Sequence, residues 1–109
     1  MPEQIQDELK IIVDTLAATG LVSKLILFGS LARGEQTKDS DIDLCVLTSI
    51  QDRRSLDISM ELRKKLNGKR RLPLDLLTFN QEQFTSDVAR KTSFAHLIDK
   101  EGVVLYEQG

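Results

Sequence analysis

Cysteine and histidine each occur once in this chain of 109 residues, and aromatic side chains make up only 5% of it. A single cysteine, Cys45, excludes an internal disulfide framework. It lies inside an apolar run, where a thiol serves as a small buried hydrophobe rather than as a reactive nucleophile. A dominant charge is missing too: 15 Lys and Arg stand against 17 Asp and Glu, a net charge of −2. There is then no global pull toward nucleic acid or membrane, and any electrostatic function has to be local. No apolar run approaches the length of a membrane span. The opening "MPEQIQDELK" is polar and acidic where a signal peptide would be basic and then apolar. A cytoplasmic location is expected. Repeats, low-complexity tracts and linkers are lacking, and 40% hydrophobic with 29% charged residues is ordinary globular composition. One domain spanning residues 1–109 is expected.

What is present is periodic. Ile5, Leu9, Ile12, Val13 and Leu16 follow a helical spacing that predicts a helix over Gln4–Thr19, stopped by Gly20. "KLILFG" from Lys24 reads as a buried strand. "DIDLCVLT" from Asp41 alternates, with Ile42, Leu44 and Val46 on one face and Asp41, Asp43, Cys45 and Leu47 on the other. Leu56 to Leu66 is helical again, with Asn67-Gly68 as its stop, and "LPLDLLTF" is a strand opened by Pro73. One or two helices fill Gln81–Lys100, broken near Lys91–Ser93, and "GVVLYE" is a closing extended segment. The fold class is α/β or α+β, a small mixed β-sheet flanked by helices. Pattern alone leaves open whether a short helix joins the first two strands and which way the second strand runs.

Chemistry gathers on three carboxylates. Asp41 and Asp43, two residues apart on a strand, share a face and lie about 6.6 to 7 Å apart along the chain. Asp75 stands inside a run of leucines, where an unpaired ionised aspartate is costly. Three acidic donors on one sheet face repel one another unless a hard cation sits between them, and Mg²⁺ or Mn²⁺ is the natural choice. An aspartate pair alone is weak, and Asp75 could instead pair with a nearby cation.

The loop before them carries donors. Gly29-Ser30 ends a strand and precedes "LARGE", so backbone N–H groups and the Ser30 hydroxyl can reach a phosphate oxygen, while Arg33 adds a planar cation. Neither the Walker pattern nor G-x-G-x-x-G is present, and a Gly-Ser turn alone is often only a cap. Phosphate donors on one side and a carboxylate set on the other are together what a nucleoside triphosphate requires.

Gly29-Ser30, ten residues, then Asp41-Ile42-Asp43, in the fuller form "GSLARGEQTKDSDIDLCV", resembles the signature of the nucleotidyltransferase superfamily, DNA polymerase β-like. The minimal, MNT-type branch is the nearest resemblance, and "PLDLL" around Asp75 and the closing "EGVVLYE" are similar to it as well. This resemblance implies a nucleotidyltransferase fold with two Mg²⁺ ions and ATP as donor. It implies that Gly29 and Ser30 hold the triphosphate, that Asp41 and Asp43 ligate the metals, and that Asp75 completes the metal site and helps deprotonate the attacking hydroxyl. Arg33 and Ser40 match motif positions, with a phosphate or a local structural role. It further implies a HEPN-domain RNase toxin as partner in a hetero-oligomer, with AMP transferred to a tyrosine of that toxin and the transferase acting as antitoxin. The alternatives are an antitoxin that neutralises by binding alone, and a transferase with a small-molecule acceptor. The chain stops soon after the matched core, which is expected of a transferase whose acceptor is presented by a partner.

Three features remain. "RKKLNGKRR" gathers Arg63, Lys64, Lys65, Lys69, Arg70 and Arg71, expected as a solvated helix end, with a patch for an acidic partner or RNA as the other reading. His96 is expected to pack rather than catalyse, since nothing near it forms a dyad. Phe79, Phe84 and Phe94 are expected in the core rather than as base-stacking platforms.

Overall fold

The apolar spacings build nine elements in the computed structural model, which describes residues 3–35, 41–69 and 71–108. These are α1 (Glu3–Ala17), β1 (Lys24–Phe28), α2 (Gly29–Ala32), β2 (Ile42–Thr48), α3 (Ser55–Lys65), β3 (Leu74–Asn80), α4 (Gln81–Val88), α5 (Phe94–Glu101) and β4 (Val103–Glu107). The strands form one mixed sheet in the order β3-β2-β1-β4. β1 is antiparallel to both β2 and β4, and β2 is parallel to β3. The directions left open by the sequence follow from the connections. α2 is a single turn, too short for a crossover, so β2 folds back against β1; α3 is long enough to carry the chain over the sheet and return it parallel.

Both faces of the sheet are covered, which is why β2 is apolar at nearly every position. Leu25, Leu27, Ile42, Leu44, Val46, Leu74 and Leu76 pack under α1 and α3, against Leu9, Ile12, Leu16, Ile58 and Leu62. On the other face Ile26, Cys45 and Leu47 meet Phe84 of α4 and Ala95 and Ile98 of α5. Cys45 is fully buried there, and burial pushes its thiol up to about 12, so it has no thiolate to react at neutral pH.

Phe84 is buried and Phe79 packs against it with ring centroids 5.8 Å apart, as expected of core aromatics. Phe94 departs from that expectation. It is the first residue of α5, at the margin of the helical cover, and is 50% exposed. His96 packs: its Nδ1 faces the Val88 carbonyl at 2.9 Å and, since a carbonyl only accepts, carries the proton. Arg63, Lys64 and Lys65 fill the last turn of α3 and, with Lys69 and Arg71, are exposed, while Arg70 lies outside the described residues. No helix among the described residues is long and apolar enough to cross a membrane.

A buried carboxylate ties the first helix to the approach to β3. Glu8 is only 8% exposed, and its Oε1 accepts the backbone N–H groups of both Arg71 and Leu72, the latter at 2.7 Å. Truncation removes the acceptor that both N–H groups share, and the loss of a buried acceptor costs about 1–3 kcal/mol. Glu8→Ala is therefore expected to lower unfolding free energy by about that amount in a urea titration, with Glu8→Gln, which keeps an acceptor oxygen, intermediate.

Candidate functional site

Strand register places the carboxylates. Phe28, the last residue of β1, pairs with Asp43, and Asp43 stands beside Asp75 in the parallel ladder. Paired residues share a face, so Phe28, Asp43 and Asp75 form one row across three strands. The next row inward is Ile26, Cys45 and Leu77, an apolar floor.

The row is not uniformly buried. Asp43 is half-buried, whereas Asp75 is exposed. The expectation that Asp75 sits in an apolar environment is thus corrected: its neighbours Leu74 and Leu76 are buried on the opposite face, and Asp75 is the second residue of β3, near the rim. Its significance lies in its register with Asp43, not in desolvation. Asp41 is also exposed and precedes β2 rather than lying within it.

Electrostatically the three act together. Burial raises the Asp43 carboxyl above its ordinary value, and the charges of Asp75 and Asp41 raise it further, as does a hydrogen bond with Asp75; the Arg33 guanidinium works the other way.

Gly29 closes the site from the β1 side. Its φ of 77° is left-handed, and a Cβ built there would collide with the Asp43 Oδ2. Glycine is required twice over, by conformation and by the carboxylate against it. Ser30 follows in the single turn of α2, half-buried, and its carbonyl accepts from the Glu35 N–H at 2.9 Å. Phe28 occupies the N-cap of that turn and offers it no side-chain acceptor. Gly29, Ser30, Asp41, Asp43 and Asp75 are thus brought to one end of the sheet. Ser40 lies outside the described residues.

Arg33 is held locally. Its Nε donates to Glu35 at 3.1 Å and its Nη1 to Glu101 at 3.5 Å, and the hydrogen bond and charge of Glu35 raise its pKa. Glu101 is the last residue of α5, and Phe94 begins that helix with its ring against Phe28, centroids 5.8 Å apart and planes at 86°. Glu101 was not singled out by the sequence and Phe94 was expected only as a core residue, because each enters here through tertiary packing rather than through a local pattern.

Among the described residues no three His, Cys, Asp or Glu side chains form a ready-made metal-holding group. The donor chemistry nevertheless fits a hard cation. Asp43 and Asp75 are close enough to share a hydrogen bond, Asp41 adds charge, and the strain between them is of the kind a divalent ion relieves.

The nucleotidyltransferase domain family model matches residues 7–99. A Methanocaldococcus jannaschii protein named "Putative protein adenylyltransferase" is 33% identical over 87 residues, 80% of this chain and 81% of that protein. A solved structure described as "a putative nucleotidyltransferase from Sulfolobus solfataricus" superposes with a TM-score of 0.63 at 17% identity, covering 99% of this chain and 90% of the other. A toxin–antitoxin structure with AMP-PNP gives a TM-score of 0.51 at 20% identity, over 91% of this chain and 73% of that one. At those identities the two structures share the fold.

Two outcomes are expected from this geometry. Gly29→Ala puts a methyl group into the Asp43 carboxylate in a left-handed backbone, and should lower the melting temperature by several degrees. Asp43, whose raised pKa favours its neutral form, contributes stability that is full below the ordinary carboxylate range and lost as pH rises through its raised value. Asp43→Asn should therefore melt a few degrees above wild type at neutral pH in chelator, with the gap closing in acid. A mutant less stable than wild type at neutral pH would contradict the electrostatic account.

Proposed function

Because this chain belongs to the nucleotidyltransferase domain family, we propose that it transfers AMP from Mg²⁺-bound ATP to a hydroxyl of a partner protein, a tyrosine of a HEPN-domain RNase toxin, and so acts as an antitoxin. The observation that carries this reading is the contact of the Gly29 turn with Asp43 in the same row as Asp75, which supports a phosphate-binding role for a turn set against two carboxylates. The naming of the Methanocaldococcus jannaschii relative as a protein adenylyltransferase supports a protein acceptor. The likeness in fold to a toxin–antitoxin structure with AMP-PNP agrees with a toxin partner and an adenine nucleotide.

In this reading the backbone N–H groups of Gly29 and Ser30 and the Ser30 hydroxyl bind phosphate oxygens. Ser40 is assigned to the same seat. Asp41, Asp43 and Asp75 would hold Mg²⁺, which when bound offsets charge on the triphosphate and on the departing pyrophosphate. The exposed Asp75 carboxylate takes the proton of the acceptor hydroxyl. The acceptor oxygen then bonds to the α-phosphorus as the bond to the β-phosphate oxygen breaks, leaving AMP on the acceptor and releasing pyrophosphate. Arg33, held by Glu35 and Glu101, keeps its positive charge beside the carboxylates.

The test is label transfer from α-labelled ATP to the co-expressed toxin. Asp41→Asn combined with Asp43→Asn should reduce transfer by at least a thousandfold, the scale of losing electrostatic stabilisation at the reacting centre, while the melting curve stays cooperative. Undiminished transfer would overturn the assignment of the carboxylates. Toxin that is neutralised equally well by the double mutant would show that binding rather than transfer is the antitoxin activity.

A further inference from the structure

The chain has five aromatic side chains, four Phe and one Tyr. Three are accounted for by packing. Phe84 is buried, Phe79 lies against it, and Tyr106 packs on the opposite face under α1 and α3. From Gly29 to Thr78 there is no aromatic residue at all. The remaining two rings, Phe28 and Phe94, are both at the carboxylate end of the sheet.

Their arrangement is asymmetric. Phe28 is half-buried against the α4–α5 side of the core, is the register partner of Asp43, and directly precedes the Gly29-Ser30 turn. Phe94 meets it at 86°, an edge contact that fixes the ring while leaving half of the residue in solvent. A large apolar ring, held in place and left open, stands one side chain beyond the carboxylate row. Core packing does not explain the exposure, since α5 already buries Ala95 and Ile98 into the sheet.

We propose that Phe94 is the platform on which the nucleobase of the donor triphosphate stacks, with Phe28 bracing it from below. The inference rests on the reading of Gly29 and Ser30 as the triphosphate seat, and it names the part of the site that would grip the other end of the donor. Every base has a π-face, so a phenylalanine platform supplies affinity with little selection among bases. That agrees with the lack of any obvious base-reading polar group in the sequence.

Isothermal titration of the full chain with Mg–ATP and, separately, with Mg–tripolyphosphate separates the two ends. Phe94→Ala should raise the Kd for ATP about tenfold, the scale of one lost base stack, and leave that for tripolyphosphate unchanged. Phe94→Tyr keeps a ring and should restore ATP affinity to near wild type, which guards against a folding defect. Leu97→Ala, one turn along α5 and also exposed, should alter neither. Equal ATP affinity in Phe94→Ala and wild type would overturn the proposal, as would a matching loss for both ligands. If wild type binds tripolyphosphate but gains nothing from the adenosine, only the platform fails. If it binds neither ligand, the triphosphate seat fails and takes the platform with it.

Discussion

The close approach of Gly29 to the Asp43 carboxylate is the constraint from which the rest of the site follows. A chain leaving β1 has to turn sharply enough to bring its N–H groups over the neighbouring strand, and only a left-handed residue without a side chain can do so against a carboxylate. The antiparallel pairing of β1 with β2 puts that turn and the start of β2 at the same end of the sheet. The parallel crossover through α3 then delivers the start of β3 there too. One strand end and two strand beginnings converge, and the three aspartates stand at the convergence.

The charged row and the apolar rows behind it depend on each other. Burial lifts the Asp43 carboxyl, and that burial comes from the floor of Ile26, Cys45 and Leu77 and from the turn above. The helices α4 and α5 cover the inner rows and, of the outer one, only Phe28, so the same face is a core at one end and a charged surface at the other. Stability is given up to keep like charges together, an arrangement expected where a bound ion completes the electrostatics.

Much of this was legible in the sequence because it is written in local periods. Helical spacing located α1 and α3, alternation located β2, and the spacing of Gly29-Ser30 from Asp41 and Asp43 pointed to residues that meet at one end of the sheet. What was not legible depends on the partner strand or helix. Alternation put Asp75 on the correct face, but whether that face was covered at that point depends on where α4 and α5 end. The run of leucines suggested a buried aspartate, but Leu74 and Leu76 face the opposite core and Asp75 lies at the exposed rim of its own face. Phe94 was expected in the core because its position at the border of the α5 cover is a tertiary fact, and the ion pair from Arg33 to Glu101 joins segments that no short-range rule connects.

The pairing of β1, β2 and β3 also bears on how errors of assembly are handled. A slip of β2 by one residue would carry Asp43 to the side packed under α1 and α3 and Leu44 to the side under α4 and α5, because the side-chain period of a strand is two. The misaligned chain would bury a carboxylate among leucines and isoleucines and would exchange the side chains fitted to each face, losing the packing of both. Wrongly registered molecules are therefore removed by their own instability, and a folded population is by construction an aligned one.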